Sequence, residues 1–291
     1  MSPGVDSDGT APEVSVVIPT AGAGLLLGEQ LTALAAQQGD VRFEVVVVAN
    51  RSRLDTGELQ QQWRDRLDLV VIRADDRAGA GYARNRGVEA ARGAVLLFVD
   101  DDDVVAPDYV SVMSRALQDA PAVAARIDLT RLNEPWVREI RPTSQASGLA
   151  DSGGIPIAGG GTLGVHRAVF DEVGPFAATF DGIAAEDTEW CLRLAAQGHE
   201  LVFVPDAVVH CRARSGIRDV WEQGLRSGRG GEMVAPSTGG RLPWLRSLLG
   251  PIRLVVVGPG RGMRRRGVFL LGRRTGRAAA RRDARHMRNT P

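Results

Sequence analysis

Four aspartates in a row, Asp100, Asp101, Asp102 and Asp103, stand directly behind five apolar residues at 95–99. An apolar run of that length is consistent with a strand covered on both faces. Carboxylates crowded at the end of such a strand repel one another, so either a positive charge joins them or some of them stay protonated. A hard divalent cation answers the crowding directly, because such ions are held by one or two carboxylates together with substrate phosphates. The alternative is a solvated acidic turn ahead of a helix that starts near Pro107.

The flanking sequence supplies elements to position these acids. Residues 14–18 form an apolar run ended by Pro19 and read as the first strand. Residues 25–38 carry Leu25, Leu26, Leu31, Leu34 and Ala35 on a helical period. A second strand at 43–48 is closed by Ala49-Asn50-Arg51-Ser52. Residues 55–67 read as a helix with Leu59, Trp63 and Leu67 on one face, and 69–72 as a third strand. A helix over 81–91 ends at Arg92-Gly93, a basic last turn followed by a terminating glycine. Strand–helix alternation through about the first 120 residues predicts a doubly wound α/β sheet, whose ligands bind at the carboxyl ends of the strands. The aspartates and the 49–52 loop both fall there. Farther on, 123–129 reads as a strand, 148–164 as a glycine-rich loop beneath a ligand or another backbone, and 169–173 as the start of a short helix. A helix opens at Glu186-Asp187-Thr188-Glu189-Trp190 and ends at Gly198. Short strands at 201–204 and 207–209 surround Pro205 and lead to His210.

Together these residues resemble a family 2 glycosyltransferase of the GT-A fold. The resemblance runs in order through Val14-Ser15-Val16-Val17-Ile18-Pro19-Thr20, Phe43-Glu44-Val45-Val46-Val47-Val48, Ala83-Arg84-Asn85-Arg86-Gly87 and Phe98-Val99-Asp100-Asp101-Asp102-Asp103 with Pro107. It continues in Arg167, in Phe170 through Val173-Gly174-Pro175-Phe176, in Glu186-Asp187 with Leu192-Arg193-Leu194 and Gly198, and in Val204-Pro205-Asp206-Ala207-Val208-Val209-His210-Cys211. It covers about residues 14–215, and the order of seven pieces carries it more than any one of them. It implies a Rossmann-like mixed sheet flanked by helices, over 13–240. The implied activity is sugar transfer, with inversion, from a nucleotide-diphosphate sugar to an acceptor hydroxyl, in cell-envelope polysaccharide or glycolipid synthesis.

The resemblance also assigns roles. Asp102 holds Mg²⁺ or Mn²⁺, Asp100 holds the metal or the ribose, and His210 is a third metal ligand. A metal there bridges the diphosphate and stabilises its charge as it leaves. Pro19, Thr20, Asn50, Ser52, Arg84, Asn85, Asp100 and Asp101 line the donor site. Asp187 is the general base, with Glu186 beside it raising its pKa by like-charge repulsion. The alternative for that pair is a helix N-terminus carrying acids that suit its dipole. The chain departs from the family at Ala49-Asn50-Arg51-Ser52, where the family has Asp-Asp-Gly-Ser. Asn50 still offers a donor and an acceptor to a base, and uracil specificity does not carry over.

Two other readings compete. Gly22-x-Gly24 after the first strand, with Gly28 beyond, suggests a dinucleotide-binding oxidoreductase. The spacing is not G-x-G-x-x-G, however, and no acid closes the second strand. A non-catalytic carbohydrate- or nucleotide-sugar-binding relative would keep the fold and lose turnover, which the intact Asp100, Asp102 and Asp187 argue against.

Composition bounds the rest. Apolar residues make up 44% and charged residues 24% of 291, as in an ordinary globular protein. Cys191 and Cys211 have neither metal-type spacing nor partners for a disulfide framework, so a reducing compartment is expected. Residues 1–12 are polar and acidic, expected to be disordered and not a secretory signal. The net charge of +1 hides an asymmetry. Residues 1–240 hold 22 arginines against 34 acids, and 241–291 hold 14 arginines against Asp283 alone. This Arg-rich extension carries Trp244, Leu245, Leu248 and Leu249 on one helical face, and apolar runs at 254–257 and 268–271 among arginines. Neither run can span a bilayer, but both can lie in its interface while arginines reach anionic head groups. The expected protein is cytoplasmic, peripheral at the inner face of the membrane, with a carbohydrate or lipid-linked acceptor and no nucleic-acid partner. Packing of the extension on the catalytic domain is the alternative.

Overall fold

The structure is a computed structural model that describes residues 11–21, 25–180, 183–234 and 244–289. The chain begins β1 (Val14–Thr20), α1 (Leu25–Ala35), β2 (Phe43–Ala49), α2 (Thr56–Trp63), β3 (Leu69–Arg73), α3 (Ala80–Ala90) and β4 (Val95–Phe98). It continues β5 (Val104–Val105), α4 (Tyr109–Ala116), β6 (Ala122–Asp128), α5 (Pro135–Arg138), β7 (Ala150–Ser152), β8 (Ile155–Ile157), β9 (Leu163–His166), α6 (Arg167–Val173), α7 (Glu186–Ala196) and β10 (Leu201–His210). Three helices close it: α8 (Ile217–Val234), α9 (Trp244–Val257) and α10 (Gly260–Asn289).

Eight strands form one mixed sheet in the order β3-β2-β1-β4-β9-β6-β10-β5. β1 to β4 run parallel, β9 is antiparallel to both β4 and β6, and the short β5 is antiparallel to β10 at the edge. Side chains alternate between the two faces. Val14, Val16, Ile18, Val45, Val47 and Leu97 pack under α1, α2 and α4. Val17, Val46, Val48, Leu96 and Phe98 pack under α3, α6 and α7. Both faces are covered, which is why the strands are continuous apolar runs rather than alternating ones.

Several expectations need correction. β1 runs through Pro19 to Thr20, because Pro19 lies beyond the last residue that β4 pairs with and its missing N–H leaves no gap there. Arg92-Gly93 does not cap α3, which ends at Ala90 with Ala91 extended. Arg92 instead turns its guanidinium onto the fully buried Glu44 of β2 at 2.8 Å. Gly93 lies so close to β1 that a Cβ would fall 2.6 Å from the Ser15 amide nitrogen. The glycine-rich stretch at 148–164 is not all loop, since β7 and β8 form a hairpin within it. The two strands expected around Pro205 are one strand, β10, with a bulge between Val204 and Val208 that absorbs the proline.

The extension is partly docked. α8 and α10 cross at their glycines: a Cβ on Gly224 or Gly228 would meet the carbonyl oxygens of Phe269 or Arg273, and one on Gly272 or Gly276 those of Trp221 or Leu225. Phe269 is buried with Val137, Ile140 and Val220. The 268–271 run therefore faces protein and is not free to enter a membrane interface. Gly22, Gly24 and residues 1–10 lie outside the described residues, as do the side chains of Trp244, Leu245 and Leu248.

Candidate active site

The carboxyl ends of β1, β2 and β4 open side by side, carrying Thr20, Asn50 and Asp100 to one edge of the sheet. The acidic loop between β4 and β5 is clasped from several directions. From α1, the fully buried Gln30 donates to the Asp100 carbonyl at 3.3 Å and accepts from the Val105 amide at 3.0 Å. From β1, the Thr20 hydroxyl donates to Asp101. Beyond β10, the Arg212 amide donates to Asp103 at 2.8 Å and its guanidinium to the Asp102 carbonyl at 3.2 Å, while its far end pairs with Glu29 at 2.8 Å.

The crowding read from the sequence is present. Burial first, and then repulsion from Asp100 and Asp101, pushes Asp102 up to about 6. Asp101 is raised chiefly by burial, and Asp103 well above the ordinary range by burial and by its neighbours Asp100 and Asp102. Arg214 lies near enough to lower Asp101 and Asp102 by its charge, yet it is exposed and no ion pair joins it to an acid among the described residues. It is a cation facing the acids from open solvent. Nothing in its local sequence marks it, and the signal that could have found it is its place four residues beyond His210 at the end of β10.

Arg84 of α3 sits at the centre. Its side chain is 4% exposed, and it donates to Asp100 at 2.7 Å and to Glu186 at 2.9 Å. The floor under this pair has no side chains: a Cβ on Gly160 would fall 2.7 Å from the Arg84 Nη1, and one on Gly161 2.5 Å from Asp100. The Gly160 amide donates to Asp187 at 3.0 Å. The acid-headed helix α7 thus reaches the acidic loop through one guanidinium and one peptide. Its first turn is anchored below by the rings of Phe98, Phe170, Phe176 and Trp190, whose neighbouring centroids lie 5.5–5.9 Å apart. Repulsion between the paired acids is felt at Glu186, whose pKa is raised by burial and then by Asp187, against the pull of Arg84.

Other residues expected to touch a donor are engaged within the protein. The Asn50 amide nitrogen donates to the carbonyls of Ala74 and Arg77, and its oxygen accepts from the Gly79 amide at 3.0 Å. Both of its donors are spent shaping the loop into α3. Asn85 exchanges a pair of 2.9 Å bonds with the Phe176 backbone. Ser52 is buried and accepts from the Leu54 amide, and Pro19 is buried. Arg51 takes φ 50, the left-handed conformation that the family's glycine would adopt freely, with its amide held by Asp75 at 2.6 Å.

His210 pairs in register with Asp128 on one side and Val104 on the other. Its Nδ1 lies 2.7 Å from Asp128. Burial would raise Asp128, but bonds from Thr130, His210 and the Arg131 amide outweigh it and hold its pKa below the carboxylate range. With Nδ1 turned to a carboxylate, Nε2 is the ring nitrogen left to face a ligand. Even so, among the described residues no three His, Cys, Asp or Glu side chains stand close enough to share an ion. Asp100 and Asp102 by themselves fit a hard cation: two oxygen donors in a loop whose carboxylates are short of positive charge. A groove of about 1050 Å³ runs elsewhere, between α1 and α2 over Leu59 and Trp63. It contains none of these acids.

A mixed sheet with an acidic loop at the end of β4 and an acid-headed helix facing it is the architecture of GT-A glycosyltransferases. Solved structures agree on the fold. The mannosyltransferase PcManGT from Pyrobaculum calidifontis, in complex with GDP-Man and Mn²⁺, superposes with a TM-score of 0.60 at 19% identity, covering 95% of this chain and 80% of that one. S. aureus TarS 1–349 in complex with UDP-GlcNAc gives 0.52 at 18%, covering 93% and 92%. Residues 11–230 match the model of the family described as glycosyltransferase like family 2, and the chain belongs to that family. It is 28% identical over 228 residues to the glycosyltransferase AglE of Haloferax volcanii, 76% of this chain and 73% of that one. Several other curated relatives are matched over less than half of their own length. Membership sets aside the oxidoreductase reading.

Proposed function

We propose that the protein is an inverting sugar transferase that uses a nucleotide-diphosphate sugar and acts on an acceptor hydroxyl of a lipid-linked or envelope polysaccharide. The observation that carries this reading is Arg84, whose guanidinium joins Asp100 of the acidic loop to Glu186 at the head of α7. Donor-side acids and the head of α7, whose next residue Asp187 is the proposed base, are thereby held on opposite sides of one rigid group. Support for the donor comes from PcManGT and TarS, whose structures hold GDP-Man and UDP-GlcNAc.

In the proposed reaction Asp187 accepts the acceptor's hydroxyl proton. The freed oxygen bonds to the anomeric carbon from the face opposite the diphosphate. The bond from that carbon to the diphosphate oxygen breaks, and the electron pair leaves with the nucleotide diphosphate. Arg214 faces the region where this charge accumulates and stabilises it. Asp100 and Asp102 are the residues that would hold Mg²⁺ or Mn²⁺, which when bound supplies Lewis-acid stabilisation of the leaving diphosphate. Thr20, Gln30 and Arg212 keep the loop in shape, and Asn50, Ser52 and Asn85 frame the donor site through the backbones they hold. No helix among the described residues is long and apolar enough to cross a membrane. We assign the enzyme to the cytoplasmic face, where such donors are made.

The test is nucleotide release from a panel of UDP-, GDP-, dTDP- and CDP-sugars with Mn²⁺ or Mg²⁺. One nucleotide should be released in a metal-dependent manner, and an acceptor should accelerate it with inverted product stereochemistry. Donor binding with no release under any condition would favour a non-catalytic relative.

A further inference from the structure

Over 249–257, the part of α9 whose side chains are described, the outward side is mostly apolar. Leu249 is 65% exposed, Ile252 45%, Val256 66% and Val257 63%. The first three are spaced by three and four residues, which stacks them in one row along the helix. The row is not awaiting α10, which already covers the other side. Pro251 and Gly258 are buried there, Leu254 and Val255 half-buried, and a Cβ on Gly267 would fall 2.7 Å from the Val255 amide nitrogen.

Arginine borders the row. Arg253 is exposed within it, and Arg261 and Arg264 are exposed in the first turns of α10. No ion pair joins any of the three to an acid among the described residues. The only acid in 241–291 is Asp283, far along α10. A second concentration of charge lies farther along α10, where the pKa of Arg273 is lowered by partial burial and then by Arg277 and Arg141.

Arg264 donates to the Gly258 carbonyl at 3.2 Å and Arg261 lies over the Trp136 ring, so Arg253 is the guanidinium left to the row itself. Aliphatic side chains in a row, edged by guanidinium groups that no acid neutralises among the described residues, match one environment. They match the boundary between acyl chains and anionic head groups, where the apolar row sinks a few ångströms and the arginines take phosphate oxygens. A nucleic acid would take the arginines but gain nothing from leucine, isoleucine and valine, and the row offers no ring for stacking. We infer that α9 lies flat in the interface of an anionic phospholipid bilayer, with Leu249, Ile252 and Val256 inserted and Arg253 on the head groups. The inference deepens the membrane-apposed reading above. It moves the contact from the 268–271 run, which is packed on protein, to the outer side of α9.

The test is co-sedimentation of the full chain with vesicles of phosphatidylcholine alone or of equal parts phosphatidylcholine and phosphatidylglycerol. Wild type should partition onto the mixed vesicles and much less onto the neutral ones. The triple variant Leu249→Ser, Ile252→Ser, Val256→Ser should lose at least about tenfold in partition, and Arg253→Ala roughly fivefold. Because the row is exposed, the triple variant should melt with wild type. Should it not, Ile252→Cys carrying a polarity-sensitive dye gives a second measurement, the native thiols being slow to label because burial raises both, Cys191 to about 12. A blue shift with anionic vesicles supports insertion, and no shift overturns it. Equal partition of the triple variant and wild type overturns the inference, as does equal binding to both lipid mixtures. Retention on an immobilised oligonucleotide without vesicle binding would assign the surface to nucleic acid. Nucleotide release in vesicle-free solution reports on the transferase reading separately, so neither failure hides the other.

Discussion

Replacing Arg84 with methionine keeps the length of the buried stem and removes both of its bonds. The bonds run 2.7 Å to Asp100 and 2.9 Å to Glu186, and the guanidinium Nε has no hydrogen-bond partner among the described residues, so beyond them only its contact over the Phe176 ring is lost. Breaking a buried ion pair on one side costs about 3–5 kcal/mol. Asp100 is 41% exposed and recovers solvent, whereas Glu186 at 13% cannot. The loss therefore belongs near the lower figure, about 3 kcal/mol, or a melting temperature lower by about 6–12 °C for a domain of this size. The deficit should depend on pH. Glu186 already has a folded pKa above its ordinary 4.5, and Arg84 is the group that opposes the rise. Without Arg84 the rise is larger. An acid with a raised folded pKa contributes stability that is full below its unfolded pKa and is lost as pH rises through the folded one. The gap between wild type and Arg84→Met should therefore be narrow near pH 5 and widest near pH 8. Calorimetric melts at the two pH values decide it. A gap of less than 2 °C throughout, or one that widens in acid, would refute the central role of this arginine. Turnover should fall about 100-fold from displaced groups, with Arg84→Lys in between.

Asp102→Asn should abolish sugar transfer together with metal-dependent nucleotide binding, read by calorimetry of UDP or GDP with and without Mn²⁺; unchanged metal dependence would remove Asp102 from the ion's ligands. Asp187→Asn should leave donor binding nearly intact and slow the chemical step by about 10²–10⁴, and near-normal single-turnover rates would pass the role to Glu186. In metal-free protein, Asp102 contributes stability below its unfolded value of 3.8 that is lost as pH rises through about 6. Mn²⁺ should accordingly raise the melting temperature above pH 6 and have little effect at pH 4.5, since the ion binds only the ionised carboxylate. An equal shift at both pH values would contradict that site.

The strands were legible because both faces of the sheet are covered, so apolar runs such as 45–48 and 95–99 stand out without any knowledge of partners. The acids were legible for a related reason: charge placed where a buried strand ends has no structural excuse. What sequence could not show is which polar groups are already spent. Asn50 and Asn85 have the chemistry to read a donor, but their amides go to backbones 24 to 91 residues away. Sequence alone places Arg92 at a helix terminus, because its partner, Glu44, lies 48 residues upstream. Flanking arginines make the 268–271 run look in sequence like a segment for a membrane interface. The contrary signal was present in the paired glycines at 224 and 228 and at 272 and 276, which let α8 and α10 close on Phe269. Arg51 is the reverse case, a residue type that gives no sign in sequence of the left-handed φ of 50 that it adopts.

The sheet ends at the acidic loop. Its last strand, β5, is two residues long, with four aspartates before it and Pro107 shortly after. A strand edge is where a second chain can add itself and begin a fibre, and short edges, inward-facing charge and proline are the devices that prevent it. Here one loop supplies all three. The residues proposed to hold an ion also guard against aggregation, so neutralising several aspartates at once carries a cost in solubility that an activity assay alone would mistake for lost chemistry.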